Sequence, residues 1–157
     1  MQVFLELQRT AIIETYERLS KLDNEFVSAK KGTSWSAKEI IGHLIDSASN
    51  NHGRIIRAQF TEDMVFLPYD QDAWVKAGDY QNADWNEVLT LWKYFNLILI
   101  HAASNIPEDV LTKERTKHNL QQLAFKRVPE TQTITLEYFI RDYFDHLHHH
   151  LNAIRIN

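Results

Sequence analysis

The sequence predicts an all-α protein that folds as a four-helix bundle. Apolar residues recur at helical spacing in four segments of about 20 residues, which is the pattern of amphipathic helices. Only four glycines and three prolines interrupt the 157 residues, so long helices are permitted. Capping motifs stand before two of the segments. Four amphipathic helices can bury their apolar faces against one another, as in a bundle.

The first helix is predicted over residues 2–23, and a connector from Asn24 to Ser34 follows it. Its apolar stripe consists of Leu5, Ile12, Tyr16 and Leu19. The second helix opens at Ser36-Ala-Lys-Glu39, a capping box, and continues to about Phe60. Its inward residues are Ile40, Ile41, Leu44, Ala48 and Ile55.

The third helix is predicted to begin at Asp84-Trp-Asn-Glu87, a second sequence of capping-box type, and to end near Ser104. Its inward residues are predicted to be Val88, Leu91, Phe95, Ile98 and Leu99. The fourth helix is predicted from Leu136 to about Arg155. Its apolar stripe consists of Leu136, Ile140, Tyr143, Phe144, Leu147, Leu151 and Ile154.

Two long connectors separate the last three helices. Residues 63–83 contain Pro68 and Gly78 and are predicted to form a long ordered loop. At about 3.3 Å per residue this loop can span a helix of roughly 38 Å, so the second and third helices can run parallel. Residues 111–134 favour a short turn or hairpin. No second domain is indicated, and a single domain is expected over residues 1–157.

Composition excludes several classes of function. The chain has no cysteine, which excludes disulfides, thiolate catalysis and cysteine-based zinc sites. Its net charge of −4 and the lack of a basic stripe argue against nucleic acid as a partner. Neither a signal peptide nor a membrane span is predicted. We therefore expect a cytoplasmic protein that acts on a small molecule, and a homodimer is compatible with this expectation.

Four histidines lie close together near the C-terminus, at positions 146, 148, 149 and 150. On the fourth helix, His146 and His150 are one turn apart on an inward shoulder of the apolar stripe, so both can reach one divalent metal ion. His43 lies on a shoulder of the second helix, beside Ser47 and Arg54, and is the candidate third ligand. Three neutral imidazoles would leave a fourth position open, which is typical of a catalytic metal site.

The remaining histidines have weaker signals. His148 falls on the opposite shoulder of the helix and His149 on its solvent side, so both are predicted to be surface residues. His52, His101 and His118 have no histidine partner at useful spacing and are predicted to be structural or solvated. The alternative interpretation of the whole cluster is a solvated polar surface without a metal.

Carboxylates and aromatic residues could support the predicted site. Asp46, Asp142 and Asp145 are candidate acceptors for the N–H groups of the ligand histidines. The aromatic residues around the first long connector are predicted either to pack over the bundle or to wall a pocket for an apolar electrophile. They are Phe66, Tyr69, Trp74, Tyr80 and Trp85.

Two segments of the chain carry a family resemblance. They are Trp35-Ser-Ala-Lys-Glu-Ile-Ile-Gly-His43-Leu-Ile-Asp46-Ser and Tyr143-x-x-His146-x-x-x-His150-x-x-x-Ile154. Together with the order of four helices and the long connections between helices 2 and 3 and between helices 3 and 4, they resemble the DinB/YfiT-like superfamily. The resemblance implies an up-down-down-up bundle with a divalent metal, commonly zinc or nickel, bound by His43, His146 and His150.

The resemblance also implies a metal-dependent enzyme. Activities in the family include S-transfer of low-molecular-weight thiols, as in bacillithiol S-transferases and mycothiol-dependent isomerases, and metal-dependent hydrolysis. In the S-transferase hypothesis the metal activates a thiol co-substrate, because the chain has no thiol of its own. No catalytic base is predicted beyond metal-bound water or thiolate. The alternative is a non-catalytic helical binding or assembly module whose histidine site is structural or vestigial.

Overall fold

Four long helices form the bundle in the computed structural model, which describes residues 1–154. In chain order the helices are α1 (Gln2–Leu19), α2 (Asn24–Ser28), α3 (Ala37–Ala58), α4 (Gln71–Gly78), α5 (Trp85–Ser104), α6 (Glu108–Thr112), α7 (Leu120–Leu123) and α8 (Leu136–Ala153). The long helices α1, α3, α5 and α8 confirm the predicted four-helix bundle. The end predicted for the last helix, at Arg155, lies outside the described residues.

The start of α3 is set by the predicted capping box. The Ser36 hydroxyl accepts a hydrogen bond from the Glu39 backbone N–H (3.3 Å), and the Glu39 carboxylate accepts one from the Ser36 N–H (2.9 Å). These two bonds satisfy backbone donors that the first turn of a helix leaves free. Because the start of the helix is fixed, the rotational position of every later residue on α3 follows.

Contacts at the two ends of α1 show that it is antiparallel to α5. The Gln2 side chain donates a hydrogen bond to the Ser104 carbonyl at the end of α5 (2.8 Å). At the opposite end, the Trp85 indole N–H donates to the Leu19 carbonyl (3.3 Å). The first residues of α1 therefore lie beside the last residues of α5.

In contrast, α3 is parallel to α5. Lys38, in the first turn of α3, donates to the Ala83 carbonyl just before α5 begins (2.8 Å). Further along both helices, the rings of His52 and Phe95 are 6.1 Å apart. The connector of residues 59–84 therefore returns the chain to the end of the bundle where α3 began.

The last helix, α8, is antiparallel to α3. Trp35, before α3, stacks on His150 near the end of α8 (6.2 Å), whereas Arg54, near the end of α3, lines the same cavity as Phe139 near the start of α8. The four long helices therefore run up, down, down and up.

The apolar stripes of three helices match the core, whereas the stripe predicted for the third helix is correct at Val88 and Leu99 and wrong at Leu91 and Ile98. Leu91 and Ile98 are 50% and 53% exposed, whereas Leu89 and Trp92 are buried. The physical reason is that α5 packs against both α1 and α3. A helix with two neighbours buries a wide face. Because apolar side chains lie on nearly every side of this helix, the sequence pattern places the centre of its buried face about one residue away from the observed position.

The connectors also differ from their predicted forms. Residues 63–83 are not a continuous loop, because they contain α4 and a 3-10 turn at Tyr80–Asn82. Residues 111–134 contain the predicted short turn, in which the Gln132 N–H donates to the Pro129 carbonyl (3.0 Å), but they form no hairpin in the described structure. They contain α7 and only one antiparallel bridge, between Arg115 and Ile134. The physical reason is that this connector pairs partly with the other one, through the parallel bridge between Met64 and His118.

Asn119 and Arg115 fix the second connector to its surroundings. The Asn119 amide binds both backbone groups of Phe66, accepting from its N–H (3.0 Å) and donating to its carbonyl (2.8 Å). The buried Arg115 guanidinium donates to the Ala58 carbonyl at the end of α3 (3.1 Å). A cation at this position also interacts favourably with the helix dipole. Within residues 1–154, no helix is both long and apolar enough to cross a membrane.

A close contact between Tyr80 and the backbone of α3 generates a stability prediction. A Cβ atom added at Gly42 would lie 2.1 Å from the Tyr80 ring, inside van der Waals contact. We therefore expect Gly42→Ala to lower the free energy of unfolding by about 1–3 kcal/mol, the usual range for overpacking. The measurement is urea denaturation followed by circular dichroism.

Gly53→Ala is the matched control on the same helix. The added Cβ there would lie 3.3 Å from the end of the flexible Arg57 side chain, which can move away. Alanine should then stabilise the helix by up to about 1 kcal/mol through its higher helix propensity. Equal effects of the two substitutions would contradict the assigned role of the Tyr80 contact.

Candidate metal centre

The three histidines predicted as ligands lie together between α3 and α8. The ring of His43 is 4.5 Å from that of His150 and 5.2 Å from that of His146, and the last two rings are 4.5 Å apart. Each histidine offers a nitrogen atom, and these atoms all lie within 4.8 Å of one another. The spacing of four residues on α8 and the antiparallel packing of α3 produce this arrangement.

The closest approach is between the Nε2 atoms of His43 and His146, which are 3.2 Å apart. Two nitrogen ligands about 2.1 Å from one tetrahedral ion would be separated by about 3.4 Å. The observed separation is therefore close to that of two ligands of a shared metal. It also suits one N–H···N hydrogen bond between neutral rings.

Burial keeps these imidazoles neutral. His43 is 1% exposed, and burial lowers its pKa to about 4, with the nearby His150 as a smaller cause. Burial likewise lowers the pKa of His146 to about 3, helped by the charges that His150, His43 and His149 would carry. For His150 the pKa falls to about 4, again through burial first and His149 second. A neutral imidazole retains the lone pair that a metal requires.

The other two histidines of the run lie outside the cluster. His149 is exposed, as predicted, and its ring faces Phe125 at 5.1 Å. His148 is only partly exposed, because it forms a hydrogen bond of 2.6 Å with the Gln8 side chain on α1. Elsewhere, His118 has a structural role: its Nε2 bonds the Gln132 carbonyl (2.8 Å).

The three predicted carboxylate acceptors do not bind the histidines in this structure. Asp46 accepts a hydrogen bond from the Tyr80 hydroxyl (2.6 Å), and Asp145 forms an ion pair with Lys126 (2.7 Å). Asp142 accepts two backbone N–H groups, those of Phe125 (2.8 Å) and Lys126 (2.7 Å). The prediction was wrong because helical spacing shows which residues are near the histidines but not which connector competes for their carboxylates.

One fully buried nitrogen atom of the cluster has no hydrogen-bond partner among the described residues. His43 Nδ1 is buried and forms no hydrogen bond within residues 1–154. Leaving a buried polar atom unpaired costs about 1–3 kcal/mol. The arrangement therefore lowers stability at His43, the most deeply buried ring of the three.

Two aromatic side chains flank the cluster. The Trp35 ring lies 5.0 Å from His43 and 6.2 Å from His150. On another side, the Phe125 ring lies 5.8 Å from His146. Trp35 belongs to the sequence motif that begins α3, but the motif did not indicate a role for it. Phe125 was not predicted, because it lies in an irregular connector with no periodic signal.

Histidines of the cluster line two cavities. The first has a volume of about 290 Å³, and its wall includes one face of α3 and part of α8. Its α3 residues are His43, Ser47, Asn51 and Arg54, and its α8 residues include Phe139, Asp142, Tyr143 and His146. The second has a volume of about 770 Å³ and reaches Trp35 and His150.

The aromatic residues of the first connector mostly pack, as one of the two predictions stated. Trp85 is buried beneath the end of α1, and Phe66 lies against Phe139 (5.3 Å). Tyr80 packs on α3 at Gly42. Tyr69 lines the smaller cavity, so one aromatic residue of this group forms part of a pocket wall.

The chain is similar to the same protein, YfiT, both in sequence and in structure. The chain is 27% identical over 132 residues to the Bacillus subtilis (strain 168) protein YfiT, covering 84% of this chain and 68% of YfiT. The solved structure of YfiT, described as a probable metal-dependent hydrolase with an unusual four-helix bundle topology, superposes with a TM-score of 0.78. That match has 19% identity and covers 98% of this chain and 82% of YfiT.

A second solved structure has the same fold. It is a mycothiol-dependent maleylpyruvate isomerase, matched with a TM-score of 0.64 at 17% identity. The match covers 94% of this chain but only 57% of the isomerase. The model of the DinB superfamily matches residues 5–154, nearly the whole chain. The chain therefore belongs to the DinB superfamily.

Proposed function

We propose that His43, His146 and His150 bind one divalent metal ion and that the protein is a metal-dependent enzyme acting on a small molecule. The observation that carries this proposal is the meeting of three neutral imidazoles, with nitrogen atoms within 4.8 Å of one another, at the walls of two cavities. Imidazole nitrogen is a preferred ligand of zinc and of nickel, so the donor set fits either metal.

The geometry favours a catalytic over a structural site. Three protein ligands leave a coordination position free, and His146 lies on a cavity large enough for a small molecule. When bound, a divalent ion would supply Lewis acidity, which lowers the pKa of a thiol or water nucleophile and polarises an electrophile. Trp35 and Phe125 would limit the access of bulk water to this position and hold the imidazoles in place.

Thiol S-transfer is the reaction that we favour. The two cavities reach different histidines, the smaller one His43 and His146 and the larger one His150, which suits two substrates that meet at one metal. The larger cavity would hold a low-molecular-weight thiol and the smaller one its electrophile. The mycothiol dependence of the structurally similar isomerase supports this choice.

Metal-dependent hydrolysis is the second candidate. It is supported by the likeness to YfiT, the probable metal-dependent hydrolase, which covers most of both chains. In that case water would take the place of the thiol and the larger cavity would hold a leaving group. The two candidates share the same histidines and differ only in the nucleophile.

Substitution of the histidines tests the metal site. We expect His43→Ala, His146→Ala and His150→Ala each to lower zinc affinity by at least about 100-fold, because loss of a ligand should exceed the 10–100-fold effect of residues that only support ligands. His148→Ala and His149→Ala are the matched controls and should still bind one equivalent of zinc per chain. Metal content and affinity would be measured on untagged protein. Loss of metal from the His149 variant with retention in the His146 variant would contradict the assigned helical phase.

The pH dependence of metal binding follows from the low pKa values. Protons compete for the metal-binding lone pairs only below the pKa, which is about 4 for His43 and His150 and about 3 for His146. Zinc affinity should therefore change little as the pH falls from about 7 to about 5. Histidines with ordinary pKa values near 6.5 would instead lower the affinity by about 25-fold each over the same range. Titration against a chromophoric chelator measures this. A steep loss of affinity just below about pH 6.5 would contradict burial as the dominant influence.

Removal of the metal distinguishes a catalytic metal from a structural one. Chelation should abolish thiol conjugation to an activated aryl halide and leave the helical circular dichroism unchanged, because the apolar core is extensive without the histidines. Zinc or nickel should restore the activity. Hydrolysis of activated esters without added thiol would favour the second candidate. Loss of most helical signal on chelation would instead favour the non-catalytic module with a structural site.

A further inference from the structure

Arg54 shares the face of α3 that lines the smaller cavity. It follows His43, Ser47 and Asn51 at helical spacing, and all four residues contribute to the cavity wall. Arg54 is only 5% exposed. Arginine is rarely buried to this extent unless an acid pairs with it, so the identity of its partner decides what the residue does.

Within residues 1–154, no carboxylate forms an ion pair with Arg54. Its guanidinium donates to the Leu67 carbonyl (2.6 Å) and weakly to the Asn51 side-chain oxygen (3.3 Å). Both acceptors are neutral, and a guanidinium carries five N–H donors. A buried positive charge is thus held by two neutral oxygens and retains donor capacity for a further acceptor.

Aromatic rings position the guanidinium. Its carbon atom lies 5.9 Å from the ring centre of Phe66 and 5.9 Å from that of Tyr69. Phe66 is itself fixed by the two backbone hydrogen bonds from Asn119. Arg54 is therefore held in a defined orientation at the cavity wall without the help of an acidic partner.

The other charged residue on the cavity wall does not serve as that partner. Asp142 uses its two carboxylate oxygens to accept the N–H groups of Phe125 and Lys126. These bonds hold the connector in place and satisfy the carboxylate. Among the described residues that line the cavity, Arg54 therefore has no carboxylate within ion-pair distance.

We propose that Arg54 binds the carboxylate group of a small-molecule substrate whose reacting end lies at the histidines. The proposal rests on the proposed function for the position of that reacting end. The Cα atoms of His43 and Arg54 are eleven residues apart, or about 16 Å along the helix axis. The substrate class is therefore an elongated carboxylic acid with its electrophilic atom several bonds from the carboxylate.

A carboxylate suits this site better than a phosphate does. The planar guanidinium forms paired hydrogen bonds with either anion, but Arg54 is the only basic side chain besides the histidines among the described residues that line the cavity. A single positive charge balances a carboxylate, whereas a phosphate dianion would be left with excess charge. The aromatic residues Tyr69 and Phe139 favour an apolar body behind the carboxylate.

Calorimetry with a charged and a neutral probe tests the proposal. The probes are 4-phenylbutyrate and its amide, 4-phenylbutyramide, titrated into metal-free protein so that the carboxylate cannot bind a metal. We expect the acid to bind at least about tenfold more tightly than the amide, which is the gain from a hydrogen bond to a charged group. Arg54→Met should remove this preference, and Arg54→Lys should restore part of it.

Arg57→Gln is the matched control, because Arg57 is an exposed arginine on the same helix. It should leave the affinity for 4-phenylbutyrate unchanged. If Arg54→Met fails to fold, the wild-type protein still gives an answer, because bound 4-phenylbutyrate should shift the Nε–Hε resonance of Arg54. Equal affinities for the acid and the amide, no shift of that resonance, or tighter binding of inorganic phosphate would each overturn the proposal.

The same experiment separates this inference from the metal proposal. The titrations are repeated with zinc-loaded protein and with metal-free His146→Ala protein. They show whether the preference for the acid depends on Arg54 or on the metal site. Preference for the acid that persists in the His146 variant supports the role of Arg54 even if zinc does not bind. Full zinc binding without any preference for the acid in metal-free protein would overturn the role of Arg54 and leave the metal site intact.

Discussion

The packing of α3 against α8 through three imidazoles is the contact on which the candidate site depends. The Nε2 atoms of His43 and His146 approach to 3.2 Å in a region where an ordinary bundle would place apolar side chains. Burial keeps the rings neutral, and it also leaves His43 Nδ1 without a partner. Such a polar contact is less favourable for folding than an apolar one, and proteins accept that loss mainly at functional sites.

The two connectors add walls to the groove between α3 and α8. Asn119 joins one connector to the other through the backbone of Phe66, and the Asp142 carboxylate holds the backbone at Phe125. Phe125 in turn packs beside His146. The connectors therefore supply part of the wall of the candidate site. The short helices within them make them more rigid than a loop of the same length without secondary structure.

A single helix face bears both ends of the smaller cavity. His43 and Arg54 belong to α3, whose start is fixed by the capping box of Ser36 and Glu39. Groups on one rigid helix keep their separation when connectors move, which is the arrangement that a binding site with defined spacing requires. The buried charge at one end and the neutral imidazoles at the other give this face two chemically distinct halves.

The sequence by itself determined the four long helices, the boundaries set by Ser36 and Asp84, and the grouping of His43 with His146 and His150. The helices, their boundaries and the pairing of His146 with His150 depend on local spacing and on capping, which act within one or two helical turns. The place of His43 beside that pair was implied by the family resemblance, and it depends on the packing of α3 against α8. The buried face of α5 was not determined in this way, because Leu91 and Trp92 are both apolar and only the positions of α1 and α3 decide which is covered.

Only the tertiary structure decided the partners of the polar groups around the histidines. Asp142 could have bound a histidine or a connector backbone, and helical spacing is the same in both cases. Likewise, Arg54 shares a helix face with His43 in the sequence, but its burial without an acidic partner depends on how Phe66, Leu67 and Tyr69, from the irregular connector after α3, fold back onto the helix. Side-chain hydrogen bonds and charge burial are set by which segments meet in space, and that meeting has no periodic signal in the sequence.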